Sequence, residues 1–385
     1  MRFALLTPDF PTEGHQRYVF VQQLVFALVD MGINITVIAP QSLTHAIVRK
    51  EKIFPRHTEE KTENGNVFQL YRPYDLSFGN KLRKLTTFTK GFLNHQLSHI
   101  INRVKPDVLY GHFWSSAMKM KDYALKHSLP LFVACGEGDN ALEDLDKSLS
   151  KKQRQELHSL IKGVISVSSE NKRKCIKYGF AREQDIVVLP NAVDDTLFHP
   201  INETRLRTDL KVANDDFLVL FVGGFIHRKG TKNLSEAIRK LNDKHIKSIF
   251  IGAPLAGDSE IPECDGIVYK GPMEHSKLPE FFNAADVFIL PTLNEGCCNS
   301  IIEALACGIP VISSNRPFND DILNDANSVL IDPENVDEIT NAIKRLKEDK
   351  LLYDKLKSYS MDHSHQYSIK ERAYKIQDFI NKRLQ

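Results

Sequence analysis

The chain has 385 residues, 42% hydrophobic and 26% charged, with a formal net charge of +2. That is too long for one ordinary core and suits two domains. The near-balance of charge selects neither nucleic acid nor an acidic partner, and no apolar run has the length of a membrane span. In chain order, residues 2–6 read as an apolar first strand. Asp9 and Pro11 follow at once, so MRFALLTPDF is expected to be a strand entry rather than a signal peptide. After a polar loop, a helix is expected from about 16 to 31, ended by Gly32, and INITVIAP follows as a second strand. DVLYGH (107–112), PLFVAC (130–135) and GVISVS (163–168) are continuous apolar runs, as in strands covered on both faces. Helical patterns at 116–127 and 151–162 lie between them. The six cysteines (135, 175, 264, 297, 298, 307) form no C-x-x-C pair and no metal-ligand spacing. Reduced thiols in a cytosol are expected.

VVLPNAVDDTLFHP (187–200) reads as a seam, with two prolines and paired aspartates after a short strand. The alternation then restarts with FLVLFVGG (217–224), a helix from about 233 to 241, and KSIFIG (247–252). GIVYKG (266–271), ADVFILP (285–291) and SVLIDP (328–333) continue it. From 368 onward a last amphipathic helix is expected. Alternating strands and helices predict parallel sheets with helices on both faces, where ligands sit beyond the carboxyl ends of strands.

Two loops of the second half carry chemistry. In FVGGFIHRKG (221–230) a strand ends at Val222, and Gly223 and Gly224 follow, whose missing side chains allow close backbone approach. Arg228, Lys229 and a helix start follow, an order that suits a diphosphate over a merely solvated basic turn. In NEGCCNSIIEALACGIPV (294–311) the carboxylates Glu295 and Glu303 stand around one helix start. A capping box between Ser300 and Glu303 would explain one of them, and Asn299 could be a plain N-cap. Carboxylates also accept hydrogen bonds from vicinal hydroxyls. Two of them could hold two hydroxyl-bearing rings while the amides of Asn299, Ser300 and Ile301 hold a diphosphate between. A nucleotide sugar has that layout.

At this point the chain resembles, over nearly its whole length, the retaining nucleotide-sugar glycosyltransferases of glycosyltransferase family 4, which have the GT-B fold. The resemblance is carried by EGCCNSIIEALACGIPV with its Glu, seven residues, Glu spacing, and by VLPNAVDDTLF, FVGGFIHRKG and GHFW. It implies two doubly wound Rossmann-like parallel-sheet domains facing a cleft. Residues 1–195 plus about 366–385 would bind acceptor, and 196–365 the nucleotide-sugar donor. By resemblance Glu303 would bind the donor ribose and Glu295 the donor hexose. Lys229, helped by Arg228, would hold the diphosphate and stabilise the departing nucleotide. Gly14, in the loop after the first strand, would close over the donor. His112, Glu137 and Asp139 would lie on the acceptor side. Glu137 is also a candidate catalytic group, because ACGEGD stands where the family often has a histidine. A loop carboxylate that caps a helix is the competing reading of Glu137. Two further departures are Gly224 in place of the arginine of V-G-R and Ala192 in place of the glycine of P-N-G-V-D.

The implied activity is transfer of a hexose-type sugar from a UDP- or GDP-sugar to an acceptor hydroxyl with retention, in cell-surface polysaccharide or glycolipid assembly in a bacterium. Competing readings are a sugar-nucleotide epimerase or hydrolase of the same fold, and a non-catalytic donor-binding subunit. No cofactor or metal is expected. The D-x-D formed by Asp144 and Asp146 sits in a helical pattern and reads as structural. NKLRKLTTFTKGFLNHQLSHIINRVKP (80–106) has six lysines and arginines and no acid. It is expected to be a core-facing helix with a basic side, or a peripheral contact with anionic membrane, for a protein of the cytoplasm and the inner face of the membrane. The acceptor would then be a glycan or a lipid-linked glycan, and nucleic acid is not an expected partner.

Overall fold

A computed structural model of the chain describes residues 1–12, 17–76, 83–138, 140–202 and 205–385. Its strands, in chain order, are β1 (Arg2–Leu6), β2 (Asn34–Ile38), β3 (Gln41–Ser42), β4 (His57–Lys61), β5 (Val67–Tyr71), β6 (Tyr74–Asp75), β7 (Val108–His112), β8 (Leu131–Cys135), β9 (Ile161–Ser166) and β10 (Ile186–Val188). After these come β11 (Phe217–Val222), β12 (Ile246–Ile251), β13 (Ile267–Gly271), β14 (Val287–Leu290), β15 (Val311–Ser314) and β16 (Ser328–Ile331). The chain divides into two compact units. Unit 1 comprises 1–167, 171–189 and 372–385, and unit 2 comprises 168–170 and 190–371.

Unit 1 holds an eight-stranded sheet in the order β10-β9-β8-β7-β1-β2-β5-β4, with β3 and β6 paired separately. Pairing is parallel except at β4–β5. β7 and β8 are buried at every residue, as continuous apolar runs require when helices cover both faces. Phe3 pairs with both Ile35 and Val108, so the chain order reverses at β1 and the switch point lies between β1 and β7. The β4–β5 hairpin has no counterpart in the sequence reading. Its edge strand HTEEK is polar and half exposed along its length, so no apolar run marks it. The basic stretch forms the helix Arg83–Val104, in which Leu93, Leu97, Ile100 and Ile101 are buried and Phe92 is exposed.

Unit 2 holds a six-stranded parallel sheet in the order β13-β12-β11-β14-β15-β16. Its switch point lies between β11 and β14, beneath the loops 223–230 and 291–298. One core joins the strands to the helices Thr231–Leu241, Asn299–Ala306 and Val336–Glu348, through residues such as Leu220, Leu234, Ile301 and Ile343. The last helix, Ile369–Leu384, leaves unit 2 and supplies Ala373, Ile376 and Ile380, all fully buried, to unit 1.

Candidate functional site

The loop after β11 makes a short 3-10 turn, His227–Lys229, before the helix Thr231–Leu241. Gly230 between them has φ 69°, and a Cβ there would lie 2.1 Å from the Pro291 carbonyl oxygen. Only glycine lets the two switch-point loops approach this closely. Leu293 N donates to the Arg228 carbonyl at 2.8 Å, and Thr292 Oγ1 lies 3.1 Å from the same oxygen. The loops are thereby locked in register.

That lock brings the cations onto Glu295. Its Oε1 accepts from Lys229 Nζ at 2.5 Å, Arg228 Nη1 at 2.8 Å and Thr292 Oγ1 at 2.9 Å. Arg228 Nη1 also donates to the Asn294 carbonyl at 2.7 Å. Burial works against the charge of Lys229, and its negative surroundings outweigh that, so its pKa stands above the ordinary lysine value. Cys298 Sγ lies 4.0 Å away, but burial pushes the Cys298 thiol up, so it is neutral near pH 7. Glu295 is therefore the partner that keeps Lys229 charged. Arg228 and Lys229 thus share one carboxylate at the switch point.

The helix Asn299–Ala306 starts beside this group, with Cys298 as N-cap and no side-chain cap hydrogen bond. Its first amides have no intrahelical partner and face the positive end of the helix dipole. The expected capping box does not form. Ser300 Oγ lies against Cys298 Sγ at 3.2 Å, and Glu303 Oε1 meets His275 Nε2 at 3.1 Å. Asn299 is not the N-cap either; its Oδ1 accepts from Asn191 Nδ2 at 2.8 Å. Glu303 is 6% exposed, so its carboxylate is positioned rather than solvated. Ile301 is wholly buried, and only its main chain can serve a ligand. Gly223 and Gly224 end β11 with ordinary φ, and a Cβ on Gly224 would meet nothing closer than 3.7 Å. The backbone at Gly224 thus tolerates a Cβ. Lys229 and Glu295 are in direct contact. Glu303 stands further along the helix, with His275.

His275 escapes sequence reading because PMEHSKL carries no motif. Its place follows from Phe198, the last residue of the VDDTLF motif, which is 1% exposed and packs 5.1 Å from the His275 ring. Asn191 of the same seam did carry a signal, as the Asn of P-N-A-V-D. Ala192 beside it is buried without positive φ, so the position has no need of glycine.

In unit 1, Glu137 follows β8 and its Oε1 accepts from Trp114 N at 2.6 Å, at the start of the helix Trp114–His127. Its main-chain oxygen is held by Asn171 Nδ2 at 3.0 Å. Burial raises the Glu137 pKa to about 7, with the Trp114 amide and weaker contacts from Cys135, Gly136 and its own amide pulling the other way. His112 is buried beneath Phe20 and Phe113, at 5.6 and 4.8 Å between ring centroids. Burial, helped by the charge of Arg372, lowers its pKa to about 3, which makes it a neutral imidazole and not an exposed contact residue. Asp146 is ion-paired with Arg154. Gly14 and Asp139 lie outside the described residues.

The fold and the unit 2 site together define a GT-B glycosyltransferase. The sequence pattern described as "Glycosyltransferase Family 4" matches residues 18–197, and "Glycosyl transferases group 1" matches residues 202–363. The chain belongs to the glycosyltransferases of family 4. It is 26% identical over 356 residues to TuaC of Bacillus subtilis, named as a teichuronic acid biosynthesis glycosyltransferase, covering 89% of this chain and 86% of that one. It is 29% identical over 230 residues to the UDP-Gal:alpha-D-GlcNAc-diphosphoundecaprenol alpha-1,3-galactosyltransferase of Escherichia coli, covering 56% of this chain and 59% of that one. Among solved structures, HepE of Anabaena in complex with UDP and glucose superimposes with a TM-score of 0.74 at 16% identity, covering 99% and 100% of the two chains. Sucrose-phosphate synthase from Thermosynechococcus elongatus gives 0.77 at 16% identity, covering 99% and 98%. At such identities the structures speak for the fold.

Proposed function

We propose that the protein moves a hexose-type sugar from a UDP- or GDP-sugar to a hydroxyl of a glycan or lipid-linked glycan, with retention, in cell-surface polysaccharide or glycolipid assembly. The observation that carries this reading is the convergence of Arg228 and Lys229 on Glu295 beside an uncapped helix start. A diphosphate placed there meets two cations and free amides. As the sugar–phosphate bond breaks, negative charge grows on the leaving phosphate, and fixed donors in a part-buried site stabilise it without reorganising. Glu295 then has an oxygen for a sugar hydroxyl, and Glu303 lies further along the helix for the ribose. No metal is needed, because two cations and the helix dipole supply the positive charge.

On this reading unit 2 holds the donor and unit 1 the acceptor. A relative that acts on a diphosphoundecaprenol-linked sugar supports a lipid-linked acceptor and a peripheral seat on the inner face of the membrane, with residues 80–106 towards anionic lipid. No helix among the described residues is long and apolar enough to cross a membrane. The test is to incubate the protein with a panel of UDP- and GDP-sugars, with and without acceptor glycosides. Acceptor-dependent release of nucleotide, with a product of the donor's anomeric configuration by proton NMR, is expected. Epimerised donor formed without acceptor would replace this reading with an epimerase.

A further inference from the structure

At the amino ends of β11 and β12, three side chains with metal-ligating atoms converge. Asp215 and Asp216 end the turn that leads into β11, and His245 stands one residue before β12. Thirty residues separate Asp215 from His245 in sequence, and the β11–β12 pairing brings them together. His245 Nδ1 lies 3.4 Å from Asp215 Oδ2 and 3.5 Å from Asp216 Oδ1, and the three ligand atoms fall within 4.8 Å of one another. The six residues of β11, about 20 Å of strand, separate this cluster from Gly223 and the donor loops.

Asp216 points to a missing partner. Its side chain is 7% exposed. Oδ2 accepts from Ala213 N at 2.9 Å, whereas Oδ1 has no hydrogen bond among the described residues and is aimed at His245. A buried carboxylate oxygen without a donor is costly and calls for positive charge. Two cations of the same region are committed elsewhere, Arg207 to Asp286 at 3.1 Å and Lys347 to Asp243. An imidazolium at His245 would answer one of the two carboxylates. A dication answers both and also takes the lone pair of the neutral imidazole. The main chain beneath is fixed, because Phe217 N donates to the His245 carbonyl at 2.8 Å and His245 N to Asp243 Oδ1 at 2.9 Å.

We propose that Asp215, Asp216 and His245 form a zinc site that clips the entry of β11 to the entry of β12. Zinc takes imidazole nitrogen and carboxylate oxygen at about 2.0–2.2 Å in a tetrahedron, whose ligand atoms then stand about 3.3–3.6 Å apart. The distances of 3.4 and 3.5 Å match those edges. Octahedral magnesium, with bonds of about 2.1 Å, asks for edges of about 3.0 Å, and calcium asks for oxygen ligands alone. The site stands at the opposite end of the sheet from the donor loops, so the ion stabilises unit 2 and takes no part in transfer.

The test uses the full-length protein, stripped with EDTA, dialysed and titrated with zinc chloride. Saturable zinc binding is expected, with a melting temperature that rises as zinc is added. Asp215→Asn and His245→Gln probe the site. Asp215 is exposed and makes no side-chain hydrogen bond among the described residues, so Asp215→Asn should fold as the wild type does. Both variants are expected to bind zinc at least about tenfold more weakly and to lose the rise in melting temperature, with donor turnover unchanged. Cobalt separates this site from the six cysteines. Nitrogen and oxygen ligands give the visible bands of a tetrahedral ion without the near-ultraviolet band of a thiolate, and the variants should lose those bands. No zinc-dependent rise in the wild type, equal zinc affinity in wild type and variants, or a cobalt spectrum dominated by thiolate overturns the proposal. A rise produced by magnesium and not by zinc overturns it as well.

Discussion

At the scale of single residues, one oxygen of Glu295 holds two cations and a hydroxyl. Glu295→Gln removes the carboxylate that Lys229 and Arg228 share in a part-buried site. We expect the variant to lose about 3 kcal/mol of stability in urea unfolding, in the range for a broken buried pair. Added UDP should return part of that loss, because a diphosphate brings its own negative charge. Lys229→Ala should cut donor turnover by about 10²–10³, the scale for one preorganised electrostatic group. Glu137 makes a separate prediction about pH. Its pKa is about 7 in the fold and 4.5 ordinarily, so the fold favours the protonated acid. The stability this contributes is complete below about pH 4.5 and is lost as pH rises through about 7, on the order of 3 kcal/mol in all. Melting curves of the wild type should show that slope and those of Glu137→Gln should lack it; equal slopes would contradict it. Residue types around the helix start were legible in sequence, but not their partners. Arg228 and Glu295 are 67 positions apart, and only the parallel order β11–β14 makes them neighbours. His275 had no signal at all, since a packing contact from Phe198 sets its place.

At the scale of elements, the tight crossing of the two switch-point loops depends on Gly230. Gly230→Ala must either open φ 69° or push back the Pro291 carbonyl. It should destabilise unit 2 by about 1–3 kcal/mol and loosen the Lys229–Glu295 contact. Thermal unfolding together with the KM for donor would show both effects. Gly224→Ala is the counter-case: a Cβ there meets only ordinary van der Waals contacts at 3.7 Å and beyond, without positive φ, so it should fold normally. Elements with continuous apolar runs, such as β8 and β11, were readable because burial on both faces leaves no polar position in the strand. β4 was not, because an edge strand must carry charge to stay soluble. The boundaries of β9 moved by two residues, to Ile161–Ser166, since a preceding helix and a strand share Leu160 and Ile161 as adjoining buried residues.

At the scale of the molecule, two doubly wound sheets were legible in the alternation of elements, and the GT-B class followed from motifs spread across both halves. The strand order was not, because one chain pattern can be threaded through several parallel orders. If charge at the donor site comes from side chains and helix amides alone, turnover should be unchanged by EDTA. Loss of activity that returns with added magnesium or manganese would show that a metal is required after all.

The return of the last helix to unit 1 has a consequence for biosynthesis. Phe379 packs edge-on to Phe132, Arg383 is ion-paired with Asp185, and Ala373, Ile376 and Ile380 are fully buried within the same unit. A nascent chain emerging from the ribosome therefore has every strand of its first sheet long before it has the piece that seals it, and must wait through the whole of the second unit for closure. Without residues 373–385 the half of the protein that is translated first should lose stability.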